Sequence, residues 1–159
     1  MKKINLLKSI VSKKKKVEHR KKSKSSKVIQ IANKFGKEYF DGKRIYGYGG
    51  YHYDGRWKKV VKGFIQYYKL KPGDRVLDVG CAKGYLVKDF SDKEIDVYGI
   101  DISEYAIKNC HPNINSRVCV GNALSLPYPD NSFKLVISIN TLHNLKKTQC
   151  SKAIREIMR

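Results

Sequence analysis

The stretch from Arg75 to Gly84 reads R-V-L-D-V-G-C-A-K-G. Its apolar run with one embedded acid, Val76-Leu77-Asp78-Val79, breaks at Gly80 into small residues and resumes as a helical pattern after Gly84. That order predicts a strand, a tight loop and a helix start. In open parallel α/β sheets, ligands settle beyond the carboxyl ends of the strands. Gly80, Ala82 and Gly84 keep bulky side chains out of that position and leave backbone amides accessible to a ligand.

The rest of the chain alternates in the same way. Trp57 to Leu70 carries apolar residues at a 3.6-residue period and predicts an amphipathic helix, stopped by Lys71-Pro72-Gly73-Asp74. After a helix to about Ser91, E-I-D-V-Y-G-I-D alternates apolar and polar residues and ends in Asp101, as a second strand would. Ser103 is a good N-cap for a helix through Asn109, and His111-Pro112 ends it. A third short strand is expected at Arg117 to Val120, and a buried fourth at Phe133 to Asn140. A further helix begins at Thr148. Strands alternating with helices predict an α/β fold, a Rossmann-like parallel sheet with flanking helices, over residues 57–159.

Two segments precede that domain. Residues 35–56 combine six glycines with many aromatic rings. They suit either a loop or lid over a ligand or a surface loop whose tyrosines cap the core. Residues 1–34 are expected to be a basic, mobile extension. The net charge is +20, and residues 1–27 hold 12 of the 34 bases and one of the 14 acids. Lys/Ser-rich composition cannot offset its ordering entropy. It reads as a solvated tail, or as a salt-dependent contact with nucleic acid or an anionic membrane.

Cys81, Cys110, Cys119 and Cys150 include no C-x-x-C pair and no zinc-type histidine cluster, so reduced thiols in a cytoplasmic protein are expected, with no metal. No segment approaches the roughly 20 apolar residues of an integral membrane span.

Asp101 lies 23 residues beyond Asp78, at the end of the next strand, where a carboxylate can accept two hydrogen bonds from a ribose diol. A nicotinamide site would want G-x-G-x-x-G, and counting from Gly80 its third glycine is Tyr85. The register G-x-A-x-G suits a nucleoside carrying a small zwitterion better than a diphosphate. No G-x-x-x-x-G-K-[ST] phosphate loop occurs.

Three pieces in order, V-L-D-V-G-C-A-K-G at 76–84, Y-G-I-D-I-S at 98–103 and G-N-A-L-S-L-P-Y-P-D-N-S-F-K-L-V-I-S at 121–138, resemble the class I S-adenosylmethionine-dependent methyltransferases. The resemblance implies S-adenosyl-L-methionine as cofactor and methyl transfer to an acceptor the sequence does not identify. A non-catalytic nucleoside-binding module tethered by its basic tail is the alternative. It implies that the Gly80 to Gly84 loop, Cys81 included, faces the methionine portion, with Asp78 steadying the loop or the ammonium. Asp101 would hold the ribose, Ile102 would lie against adenine, and Asn122 with Ala123 would meet the adenine edge. Asn140, Thr141, His143 and Asn144 would stand near the reacting groups, His143 serving either as a catalytic base or as a polar capping residue.

The sequence departs from the family pattern in having Ala82 for the middle glycine, Asn122 where an acid is common, and Lys134 before the fourth strand. The family's domain continues with three more strands. Strand four is therefore expected as an apolar edge, covered by further chain or by a partner.

Overall fold

The computed structural model describes residues 4–10 and 25–159. Most of the basic tail, including the lysine run at 13–16, lies outside the described residues. Strand β1, Arg75–Val79, follows a turn in which the Lys71 amide donates to the Asp74 carboxylate. Its residues Val76 to Val79 are all buried, because helices and loops cover both faces of the sheet.

β1 pairs in parallel with β2, Asp96–Asp101, on one side and with β4, Leu135–Ile137, on the other. β2 in turn pairs with β3, Val118–Val120. The order is β3-β2-β1-β4, and every pairing is parallel. The switch of direction between β2 and β4, on either side of β1, opens a crevice at the carboxyl end of the sheet.

The period-two alternation of the strands divides the core. On one face Val76, Val97, Val118 and Ile137 pack with Val60, Val61 and Phe64 of α3, Trp57–Tyr68, and with Val87 and Phe90 of α4, Tyr85–Ser91. On the other, Leu77, Val79 and Ile100 meet Leu126, Tyr128, Phe133 and Ile157. Ile157 belongs to α6, Lys147–Met158, which grips the loop ahead of β4. There the Leu126 amide donates to Glu156, and Arg159 donates to the Leu126 and Tyr128 carbonyls.

β4 is shorter than the expected span of 133–140. Phe133 instead sits edge-on to Tyr128 and under the Arg75 guanidinium, and Asn140 turns the chain with φ 57°. Among the described residues β4 pairs only with β1, so its outer edge carries no strand.

Within the stretch expected to be a mobile extension, the described residues have structure. Leu6, Leu7 and Ile10 pack against the core cluster that includes residues of α3, α4 and the sheet, and Ser26–Ala32 form α1. Two further short helices complete the fold, α2 at Lys37–Phe40 and α5 at Glu104–Lys108, the latter capped by Ser103 as expected.

Gly84 begins α4 with φ 70°, and a β-carbon there would collide with Ile114 behind it. Gly84→Ala should therefore lower the unfolding free energy by about 2–4 kcal/mol, through left-handed strain and overpacking, as measured by urea denaturation.

Candidate cofactor site

The loop after β1 folds back on the end of β2. The amides of Gly80 and Cys81 both donate to the Ile100 carbonyl, at 2.7 and 3.1 Å. Gly80 has φ 86°, and any side chain there would run into Thr141. Ala82 takes the left-handed region too, with φ 52°, and this aims its amide at Asp101.

The Asp101 carboxylate receives the Ala82 amide on one oxygen at 2.7 Å and the Ser103 amide on the other at 2.8 Å. Each oxygen retains a lone pair for a further donor. Burial raises its carboxyl pKa, and the two amide bonds oppose that rise.

A partly open cleft lies over these groups. Its floor includes Gly80, Ala82, Asp101, Ile102, Asn122, Ala123 and Asn140. Ile102 is 58% exposed, an apolar surface standing free at the strand end. The Asn122 side-chain Oδ1 accepts from the Leu124 amide, which fixes the turn at that wall. The roof is formed by Phe35, Tyr39, Phe40 and Tyr48 of the glycine and tyrosine segment, which therefore covers a cleft.

A second cavity adjoins the first through Tyr48, Gly80, Ala82 and Asn140, and its walls add Ile10, Tyr51, Arg56, Trp57, Asp78 and Cys81. Asp78 is 4% exposed, and no donor among the described residues reaches its carboxylate. Burial first, and then the nearby negative charge of Asp101, push its pKa up to about 7. A buried acid without a partner, facing a cavity, fits a cationic group of a ligand.

The structure thus gathers Asp78, Gly80, Cys81, Ala82, Asp101, Ile102, Asn122, Ala123 and Asn140 around one continuous cleft. Two expected residues stand elsewhere. Gly84 is buried behind the loop and serves packing. His143, expected beside the reacting groups, is exposed and is not among the described residues that line either cavity. The reason is local: residues 142–144 form a 3-10 turn, in which positions three apart eclipse, so Thr141 and Asn144 share the inward side.

Sequence reasoning missed a polar junction in the roof. The Lys83 ammonium donates to both oxygens of Asp41, each at 2.8 Å, and the Tyr105 hydroxyl and Tyr51 amide donate to the same carboxylate. The only sequence signal was an acid in one unusual loop and a lysine in another, 42 residues apart.

The parallel sheet, the crevice at its switch point and the acid at the end of β2 define a class I, Rossmann-like nucleoside-binding fold. Residues 76–159, more than half of the chain, match the family described as "Methyltransferase domain". The chain belongs to that family of S-adenosylmethionine-dependent class I methyltransferases. Phosphoethanolamine N-methyltransferase 3 of Arabidopsis thaliana is 32% identical over 97 residues, covering 55% of this chain and 19% of that enzyme. Demethylmenaquinone methyltransferase of Symbiobacterium thermophilum is 34% identical over 89 residues, covering 50% of this chain and 36% of that relative.

Among solved structures, the PH0226 protein of Pyrococcus horikoshii OT3 shares the fold with a TM-score of 0.58 at 24% identity, over 76% of this chain and 56% of that one. The [4+2]-cyclase SpnF gives a TM-score of 0.52 at 30% identity, over 63% and 39%. The chain therefore spans well under half the length of the curated relatives named here.

Asp78 supplies a test of the cavity. Its carboxyl keeps a proton up to about pH 7 in the folded chain and loses it near pH 4 when unfolded. Ligand-free stability therefore falls as pH rises between those values and stays low above them. Asp78→Asn should raise ligand-free stability at pH 8 by up to about 4 kcal/mol, leave it unchanged below pH 4, and weaken any ammonium-bearing ligand. Thermal melts across pH, paired with titrations at pH 8, measure both effects.

Proposed function

We propose that this protein carries out S-adenosylmethionine-dependent methyl transfer. The observation that carries the reading is the pair of acids along one cleft, Asp101 anchored by two backbone amides and Asp78 without a hydrogen-bond partner among the described residues. Asp101 accepts the ribose hydroxyls, Ile102 lies against the adenine face, and Asn122 with Ala123 meets its edge. Gly80 to Ala82 let the ligand approach the backbone, and Asp78 takes the ammonium. Arg56, held by Asp54, offers its guanidinium to a carboxylate at the same end.

The bound cofactor supplies an already activated methyl group, so the chain's task is alignment and exclusion of water. Phe35, Tyr39, Phe40 and Tyr48 supply the cover. Asn140, Thr141 and Asn144 bring neutral polar groups to the reacting end, and among the described residues no histidine lines the cleft. That supports an acceptor whose attacking atom already holds a free lone pair at working pH.

Isothermal titration with S-adenosylmethionine, its demethylated product and NAD tests the reading. Both sulfur ligands should bind and NAD should not. Asp101→Ala should weaken the nucleoside by about 1–3 kcal/mol. Binding of NAD alone, or unchanged affinity in the Asp101 variant, would refute the assignment.

The charge of residues 1–27 supports a contact with nucleic acid or an anionic membrane surface, and the four unpaired cysteines support a cytoplasmic location. Affinity for an RNA oligonucleotide or an anionic vesicle should drop by about tenfold or more between about 50 and 200 mM salt. A salt-independent affinity would remove that contact.

A further inference from the structure

The roof of the cleft is attached at points that coincide with the floor's own working parts. Asp41 lies just beyond α2 and directly before Gly42, in the middle of the segment that supplies Phe35, Tyr39, Phe40 and Tyr48. Its carboxylate is the meeting point of three elements: Lys83 from the loop after β1, Tyr105 from α5, and the Tyr51 amide of the roof itself. Lys83 is only 7% exposed, yet its ammonium has no carboxylate partner besides Asp41 among the described residues. Burial tends to raise the Asp41 carboxyl pKa, but the bonds from Lys83, Tyr105 and the Tyr51 amide outweigh it and leave the pKa below the usual range. The Asp41 carboxylate therefore stays charged near neutral pH.

A second attachment lies at the other end of the roof. The Ser103 hydroxyl donates to the Phe35 carbonyl at 2.5 Å, while the Ser103 amide donates to Asp101. The roof is thus fixed to the residue after the Ala82 amide and to the residue that shares Asp101. Any ligand held between Asp101 and the loop is enclosed only while these attachments hold.

We infer that Asp41 and Lys83 form a latch that closes the aromatic roof over the bound cofactor, both acting as positioning residues for the nucleoside site. This rests on the cofactor reading above. The latch has to open for exchange, because Tyr39, Phe40 and Tyr48 stand over the cleft when it is made. Opening separates the Lys83 ammonium, buried in the closed arrangement, from the Asp41 carboxylate, and the cost of losing that pairing favours the closed state. Tyr105 strengthens the latch by donating to the carboxylate but carries no formal charge into it.

The test follows release of S-adenosylhomocysteine from the full 159-residue chain by rapid displacement, with hydrogen exchange of residues 35–56 recorded alongside. Asp41→Asn and Lys83→Met should each release the ligand about tenfold faster, Tyr105→Phe about threefold faster, and all should lose ligand-induced protection of the roof amides. Asp41→Glu and the charge swap Asp41→Lys with Lys83→Asp should recover most of the wild-type rate. The ligand-free melting temperature of Asp41→Asn should fall, since Lys83 loses its carboxylate partner, so release is compared at a temperature where both proteins are folded. Wild-type release rates and roof protection in Asp41→Asn would overturn the latch. Equally fast release in the swapped and single variants would overturn it as well. Failure of the wild-type chain to bind the ligand would instead overturn the cofactor reading and the latch with it.

Discussion

Two backbone amides on one carboxylate hold this site together. β1 and β2 end side by side, but a parallel ladder fixes only the strands and leaves the loops beyond them to find their own geometry. Asp101 settles that by receiving the amide of Ala82 from one loop and of Ser103 from the other. The left-handed turn at Ala82 is the cost of aiming the first amide, roughly 1–2 kcal/mol for a residue with a β-carbon. Charge-assisted bonds of this kind are each worth about as much or more. That balance explains how alanine is accommodated where the family more often uses glycine.

The same carboxylate sets the electrostatics of the neighbouring cavity. Asp78 and Asp101 lie at successive strand ends, and neither has a cationic partner among the described residues. Asp101 is relieved by amides, whereas Asp78 meets only burial and the other's charge. The ligand-free site therefore stores an unfavourable interaction that a cationic ligand can relieve. Lys83 and Asp41 show the opposite arrangement a few residues away, a charge pair already satisfied within the chain. One pair welcomes a ligand and the other holds the cover above it.

Much of the fold was legible because its signals are local. The break from Val79 to Gly80, the acid at the end of β2, the cap at Ser103 and the amphipathic period of Trp57 to Tyr68 all sit within a few residues of the element they define. The floor of the cleft followed from the loop's small residues and from strand ends at known offsets. The length of β4 did not, since Phe133 was drawn out of the ladder by Tyr128 across the preceding turn and by Arg75, a partner distant in sequence. The direction of His143 was not legible either, because the rotation of a single 3-10 turn depends on where Asn140 bends the chain. The roof's attachments join Asp41 to Lys83 and Phe35 to Ser103, pairings set by tertiary packing and carried by no sequence period.

The chain has a single tryptophan, and the fold puts it in a consequential place. Trp57 opens α3, packs against the sheet through its helix and forms part of the wall of the cavity that holds Asp78. An indole's emission answers to the polarity and dryness of its surroundings. The molecule therefore carries its own optical gauge of that cavity, with one fluorophore at the site and no second tryptophan elsewhere to dilute the signal.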